Sequence, residues 1–195
     1  MKATRIAILI LSVFLISGCT EWAMDSAEKG WDDFEDGAYL DALAHFDNAV
    51  FYDATYPDGY NGLGWSYLMI DSFSLSVENF EYALDYESTM LDAKAGATLA
   101  GTEAGEHSSA VSYADDVISS DSDYEFSHLT EVNIDVIRLA KAKSAAAAGD
   151  FATALAEIQV FDSFFDADPE TNIGQSRILT KLENLMGTYG VWAGN

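Results

Sequence analysis

The feature that most constrains the fold of this chain is an internal repeat of 34 residues. Shifting the sequence by that length superimposes Gly30 on Gly64 and Trp31 on Trp65. The same shift also pairs Tyr39 with Phe73, Ala42 with Ser76, Phe46 with Phe80 and Ala49 with Ala83. A unit of this length holds one supersecondary element, which cannot bury its own apolar face, so neighbouring units must stack. The chain is therefore expected to be a solenoid.

Helical periodicity identifies the elements of each unit. Ala42, Phe46 and Ala49 follow the spacing i, i+4, i+7, which places them on one face of a helix. Gly64 and Ser76 are small where paired antiparallel helices approach each other. Together with the turn signals, this pattern predicts helices over 23–36, 38–53, 58–70, 73–87, 90–104, 106–119, 127–148, 150–165 and 170–187, with a loop from Ser119 to Asp123.

The second unit resembles the tetratricopeptide repeat. It reads Tyr60-x-x-Leu63-Gly64-x-x-Tyr67 followed by Ser76-x-x-x-Phe80-x-x-Ala83. Weaker copies lie at 37–49 and 149–161, and the third keeps only the small residues. The resemblance implies an all-α, right-handed helical solenoid of about four helix hairpins and a C-terminal capping helix. Its parts are repeats near 23–56, 57–90, 91–120 and 127–168, a cap at 170–187 and a tail at 188–195.

The N-terminus predicts export. Lys2 and Arg5 precede the apolar run 6–16, which is too short to span a bilayer comfortably and is typical of a signal peptide. Ile16-Ser17-Gly18-Cys19 resembles the lipobox of bacterial lipoproteins, which implies removal of residues 1–18 and lipid on Cys19. Residues 19–22 would then form a short tether to the membrane. The alternative is an ordinary secretory signal ending in a chance cysteine.

Two further residues bear on the anchor. Cys19 is the only cysteine, so it has no disulfide partner within the chain. Thr20 stands where aspartate would resemble an inner-membrane retention signal, so the resemblance favours the outer membrane, facing the periplasm.

Charge excludes one class of partner. The chain carries nine basic and 33 acidic residues, and loss of residues 1–18 would leave seven basic ones, a formal charge of 7 − 33 = −26. Such a field repels nucleic acid and anionic lipid headgroups, so nucleic-acid binding is not expected. The acidity has two interpretations: attraction for a basic partner, or a surface adapted to salty water.

Little in the sequence favours catalysis. His45, His107 and His128 are far apart and lack metal-ligand spacing, and there is no phosphate-binding loop or nucleophile elbow. We expect a non-enzymatic protein without a cofactor. Asp121, Asp123 and Glu125 alternate as calcium ligands would, but without the glycine and terminal glutamate of an EF-hand loop. A solvated loop is the stronger interpretation and a cation site the weaker.

The favoured functional candidate is a surface. In tetratricopeptide proteins the first helix of each repeat lines a concave groove that holds peptides or partner helices. Carried over residue by residue, that groove would comprise Trp31, Phe34, Asn61, Trp65, Leu68, Ala95 and Leu99. The alternative is that the two tryptophans are stacked in the core.

Two functions therefore stay open. The first is an interaction scaffold in the bacterial cell envelope, whose acidic rim and apolar floor would suit a basic, amphipathic segment of an unknown envelope protein. The second is a carbohydrate or small-ligand binder, because tryptophan and tyrosine also stack on sugar faces.

Overall fold

The computed structural model describes the backbone of residues 2–189 and the side chains of residues 19–189. The described chain contains nine helices and no strand beyond a single bridge. The helices are α1 (Lys2–Glu35), α2 (Tyr39–Tyr52), α3 (Pro57–Met69), α4 (Phe73–Tyr86), α5 (Leu91–Ala104), α6 (His107–Ser120), α7 (Ile134–Ala147), α8 (Phe151–Phe161) and α9 (Asn172–Tyr189).

Consecutive helices pair and the pairs stack in chain order. The first helices α1, α3, α5 and α7 also contact one another in sequence, as expected when four hairpins stack side by side. Helix α9 packs on α7 and α8 and follows the fourth hairpin. The predicted architecture, an all-α solenoid of four helix hairpins with a capping helix, is confirmed.

One contact type sets the distance between hairpins. The Phe46 ring lies so close to the backbone that an added Cβ at Gly30 or Gly62 would stand 2.7 or 2.2 Å from it. Phe80 repeats this arrangement with Gly64 and Gly96, where the distances would be 2.6 and 2.1 Å. Both rings are fully buried. Each phenylalanine therefore fills a notch made by glycines on two successive first helices.

The turns within the hairpins share one backbone conformation. Gly37, Gly105 and Gly149 have φ values of 76°, 84° and 87°, which glycine adopts without steric cost. Asp71 occupies the equivalent place in the second hairpin, 34 residues after Gly37, with φ of 59°. Each of the four hairpins thus turns at a residue with positive φ, and in the second hairpin this residue is Asp71 instead of glycine.

Helix α1 begins at Lys2, before the predicted start at residue 23, and a further departure from the predicted helices lies before α7. This helix begins at Ile134, not at residue 127, because the side chain of Asn133 accepts hydrogen bonds from the backbone N–H groups of Asp135 and Val136. Residues 121–133 are not helical. Helix α8 ends at Phe161 instead of residue 165, and Asp162 accepts the N–H of Phe164 in the turn that follows.

The expected tether does not form an extended chain. Residues 19–22 continue helix α1, where the Thr20 hydroxyl donates to Asp53 Oδ2 at 3.0 Å and Trp22 contacts Tyr52 edge-on at 5.6 Å. These contacts attach the start of the predicted mature chain to the end of α2.

The side chains of the predicted signal peptide, residues 1–18, and residues 190–195 of the predicted tail lie outside the described residues. Within residues 19–189, whose side chains the structure describes, no helix is both long and apolar enough to cross a membrane.

The glycine notches yield a prediction about stability. We expect Gly62→Ala to destabilise the protein by about 3 kcal/mol, because its methyl group would overlap the Phe46 ring and both helices would have to shift. The matched control is Gly187→Ala in α9, where an added Cβ meets nothing within 4 Å and helix propensity favours alanine. Denaturant unfolding of both variants would measure the difference. Equal stabilities would contradict the proposed role of the notch.

Candidate functional site

A single irregular segment, residues 121–133, crosses the face formed by the first helices. We refer to it as the crossing segment and to that surface as the first-helix face. Tyr124 donates its hydroxyl to Asp92 Oδ1 of α5 at 2.9 Å. Further along, the Phe126 ring stacks on Trp65 of α3, with centroids 4.1 Å apart and planes inclined by 12°. The segment therefore runs from α5 towards α3.

His128 continues this path to α1. Its ring stacks on Trp31 at 4.1 Å with an angle of 7°, and its Nδ1 lies 2.7 Å from Glu35 Oε1. Phe126 also contacts Trp31 edge-on at 5.9 Å. Three alternate residues, 124, 126 and 128, thus contact the first helices of three successive hairpins.

The crossing segment has internal order of its own. The Phe126 N–H donates to the Val132 carbonyl at 2.9 Å, and the Ile134 N–H donates to the Tyr124 carbonyl at 2.8 Å. Phe126 and Val132 are fully buried. The segment is therefore a folded loop anchored by aromatic side chains and by the cap of α7.

The seven predicted groove residues do not form an open surface. Trp31, Phe34, Asn61, Trp65, Leu68, Ala95 and Leu99 are all buried, with exposed fractions from 0 to 7%. The reason is that the crossing segment lies on the tryptophans, so Tyr124, Phe126 and Val132 belong to the same apolar cluster as most of these residues. Their role as a partner's binding site stays a prediction, and in this structure the chain itself covers them.

The first-helix face is also nearly closed between α5 and α7. The cavity at this place has a volume of about 30 Å³, and Met186 of α9 forms part of its wall beside Leu99 and Leu139.

The crossing segment leaves two polar atoms of the first-helix face without a hydrogen-bond partner. Asn61 Oδ1 and Trp65 Nε1 are buried with no hydrogen-bond partner. An unsatisfied buried group costs about 1–3 kcal/mol. Asp92 is also desolvated: burial raises its pKa, and the hydrogen bond from Tyr124 offsets part of that shift. The crossing segment therefore packs well against the apolar side chains of this face but does not satisfy all of its hydrogen-bonding groups.

An open groove does remain beside α1, and we call it the acidic groove. Its volume is about 540 Å³, and its lining includes Met24, Trp31, Tyr56 and His128, which we call its floor. Carboxylate residues line the rest of it: Glu21, Asp25, Glu28, Asp32, Glu35 and Asp58. Of the seven predicted groove residues, Trp31 alone reaches this surface, through the small part of its ring that is not covered.

The polar contacts of the acidic groove hold its floor in place. Trp31 Nε1 donates to Asp58 Oδ2 at 3.0 Å. Burial, together with the negative charge of Asp58, raises the pKa of Tyr56 to about 12, so this phenol stays neutral. Lys29, which lies next to the groove, pairs with Asp25 at 2.6 Å. Aromatic faces beside uncompensated carboxylates favour a cationic side chain over an anion.

Charge is distributed unevenly along the solenoid. Residues 19–133 contain 25 acidic and two basic residues, whereas residues 134–195 contain eight acidic and five basic ones. In the second part Arg138 pairs with Glu157 at 2.8 Å, and Lys143 pairs with Glu103 at 2.6 Å. The net negative charge therefore resides mainly on the first three hairpins, which include the acidic groove.

The weak cation candidate receives no support from geometry. Asp121 Oδ1 accepts the backbone N–H of Asp123 at 3.0 Å, and Glu125 lies on the isolated bridge to Asn133. Among the residues that the structure describes, no three His, Cys, Asp or Glu side chains are placed to hold a metal ion. Of the histidines, His128 contacts Trp31 and Glu35, and His45 lies 3.5 Å from Asp33.

Three residues central to this site were not predicted: Tyr124, Phe126 and His128. The available signal was the alternation of large side chains at i, i+2 and i+4 over residues 124–128, across the predicted start of the fourth repeat at residue 127. Such alternation is typical of an extended segment that presents one face to a surface.

Solved structures with the same fold support the helical architecture. A crystal structure of MamA superimposes with a TM-score of 0.58 at 17% identity, covering 83% of this chain and 79% of that one. A second MamA structure, MSR-1 C2, gives 0.62 at 12% identity, with 86% and 87% covered. A thermophilic tetratricopeptide protein of Thermus thermophilus gives 0.56 at 16% identity, with 86% and 83% covered. The chain is thus similar in fold to tetratricopeptide proteins, and its fold is a tetratricopeptide-like helical solenoid.

Sequence comparisons add no closer relationship. Neither a protein-family model nor a curated protein matches the chain. The likeness to the solved structures shows the fold alone.

The crossing segment leads to a second stability prediction. Phe126→Ala should destabilise the protein by about 3–5 kcal/mol, because it removes a fully buried ring from between two tryptophans. Phe164→Ala is the control, since that ring is 95% exposed and its loss should change stability by less than about 0.5 kcal/mol. Tryptophan emission of the folded Phe126 variant should shift to longer wavelength as water reaches Trp65. A small loss of stability with unchanged emission would contradict this assignment.

Proposed function

We propose that this protein is a non-enzymatic interaction scaffold of the bacterial cell envelope, anchored by lipid on Cys19, and that its acidic groove binds a basic, amphipathic segment of another envelope protein. The tetratricopeptide-like fold supports the scaffold role, because solenoids of this kind present extended binding surfaces. The acidic groove supports the choice of partner.

The proposal rests on the combination of an apolar floor and surrounding carboxylates in the acidic groove. A helix of the partner could place apolar side chains against Met24 and Tyr56 while its lysines or arginines approach Glu28 and Asp32. Because these two carboxylates are exposed, each ion pair would contribute little alone, and several together would give salt-dependent affinity. Rim charges of this kind mainly accelerate association and select the partner.

The anchor is supported by the lipobox resemblance and by the exposure of the Cys19 thiol. A multiply acylated cysteine buries enough methylene groups for stable attachment, at about 0.8 kcal/mol each. The outer membrane, with the solenoid facing the periplasm, is the location that Thr20 favours.

The alternative, carbohydrate binding, lacks the exposed tryptophans that it would require. Trp31 and Trp65 were the residues that would stack on a sugar, and both are buried against the crossing segment. We therefore favour the protein partner.

The proposed groove can be tested with a defined probe, a fluorescent amphipathic helical peptide of leucine and lysine. The double substitution Glu28→Lys with Asp32→Lys should weaken peptide binding by about tenfold or more in fluorescence anisotropy, because attraction in the groove becomes repulsion. The matched control is Asp166→Lys with Glu170→Lys, which makes the same change in net charge at exposed positions between α8 and the cap.

Comparison of the two variants distinguishes binding at the acidic groove from a response to the overall charge of the protein. A loss of peptide binding that is confined to the Glu28→Lys, Asp32→Lys variant would support the groove. The proposal would also be supported if the unmodified protein, but not this variant, recovered the native partner from cell envelopes. Equal weakening in both variants would mean that the peptide responds only to net charge, and the groove proposal would then be wrong.

Lipidation is tested separately. Mass spectrometry of the protein purified from membranes should show an N-terminus at Cys19 with an added mass of acyl chains, and Cys19→Ser should move the protein to the soluble envelope fraction. A secreted protein starting at another residue with a free thiol would instead indicate an ordinary secretory signal.

A further inference from the structure

The end of the solenoid that carries Cys19 also carries exposed aromatic side chains. Trp22 is 59% exposed, and Phe51, at the end of α2, is 81% exposed. Tyr52 lies between them, with ring centroids 5.6 Å from Trp22 and 5.7 Å from Phe51. We call Trp22, Phe51 and Tyr52 the aromatic end. These rings come from two different helices and form one contiguous exposed patch.

The position of this patch relative to Cys19 is determined by contacts. Cys19 and Trp22 are three residues apart in α1, which places them on the same side of the helix and about 4.5 Å apart along its axis. Between them Thr20 donates to Asp53 Oδ2 at 3.0 Å. Hydrogen bonds from Thr55, and a weaker one from Thr20, hold the pKa of Asp53 below its usual range, so the carboxylate that accepts Thr20 stays ionised. The anchoring residue therefore cannot swing away without breaking these contacts.

We propose that the aromatic end lies in the headgroup region of a zwitterionic lipid bilayer, so that the protein is oriented on the membrane and not merely tethered to it. This inference rests on the proposed lipidation of Cys19. Tryptophan and tyrosine are the side chains that favour the membrane interface, since each combines an apolar ring with a polar group, and Phe51 adds an apolar ring beside them.

Charge selects the class of lipid. Glu21, Asp25 and Asp53 flank the aromatic end, and the nearby Lys29 is paired with Asp25. Anionic headgroups would be repelled, so zwitterionic ones are the surface that this end can approach. The acidic groove begins at Glu21 and Met24 on the same helix, so an oriented solenoid would present it close to the bilayer surface.

The experiment uses the protein purified from cells that express the full chain, reconstituted into phosphatidylcholine vesicles whose acyl chains carry bromine, which quenches tryptophan on contact. All variants carry Trp192→Phe, so that Trp22, Trp31 and Trp65 are the tryptophans that remain. Trp31 and Trp65 are buried, so we expect quenching that is removed by Trp22→Phe and reduced by about half by Phe51→Ser. Phe164→Ser is the matched control, because its ring is at least as exposed but lies in the turn after α8, and it should leave quenching unchanged. Added phosphatidylglycerol should reduce the quenching.

Failure of this proposal is distinguishable from failure of lipidation. Mass spectrometry reports the acyl chains independently, and a protein without them can be coupled through its single thiol to a maleimide lipid and measured in the same way. An anchored protein whose Trp22 is not quenched would overturn the proposal. So would a concentration-dependent dimer that Phe51→Ser dissociates, because the aromatic end would then be covered by a second copy.

Discussion

The Phe46 ring occupies a space that exists only because Gly30 and Gly62 have no side chains, and the rest of the solenoid depends on this contact. It brings the first two hairpins close enough to align α1 with α3, and Phe80 does the same for α3 and α5 through Gly64 and Gly96. Close packing without voids is what fixes the relative position of stacked elements in a protein interior. The first-helix face is the direct product of these two notches.

That face is apolar, and the chain covers it with its own crossing segment. Phe126 stacks on Trp65 and His128 stacks on Trp31, so the surface that tetratricopeptide solenoids commonly offer to partners is here part of the core. The open groove that remains lies at the edge of α1, where an apolar floor is combined with uncompensated carboxylates. The uneven charge along the chain reinforces this position, since the basic residues concentrate beyond residue 133.

The two proposed interactions share one end of the molecule. Both the aromatic end and the acidic groove use side chains of α1 close to Cys19. A scaffold oriented in this way would bring its groove to a partner's basic segment at the membrane surface, where charged segments and aromatic anchors commonly occur. Anchoring and partner choice would then depend on a few turns of one helix.

The solenoid could be predicted from the repeat pattern of the sequence alone. Glycines, alanines and phenylalanines recur every 34 residues because each marks a place where helices must approach or a gap must be filled, so spacing alone predicts the hairpins. The candidate site, in contrast, depends on contacts between segments that are distant in the sequence. The groove was predicted from Trp31 and Trp65, but their exposure depends on residues 121–133, which follow no repeat and reach those tryptophans from far along the chain. Asp71 and Gly62 show the same limit on a smaller scale, because a backbone angle or a close approach is visible only in three dimensions. Local periodicity reports which face of a helix is buried, and it carries no information about which segment of the chain buries it.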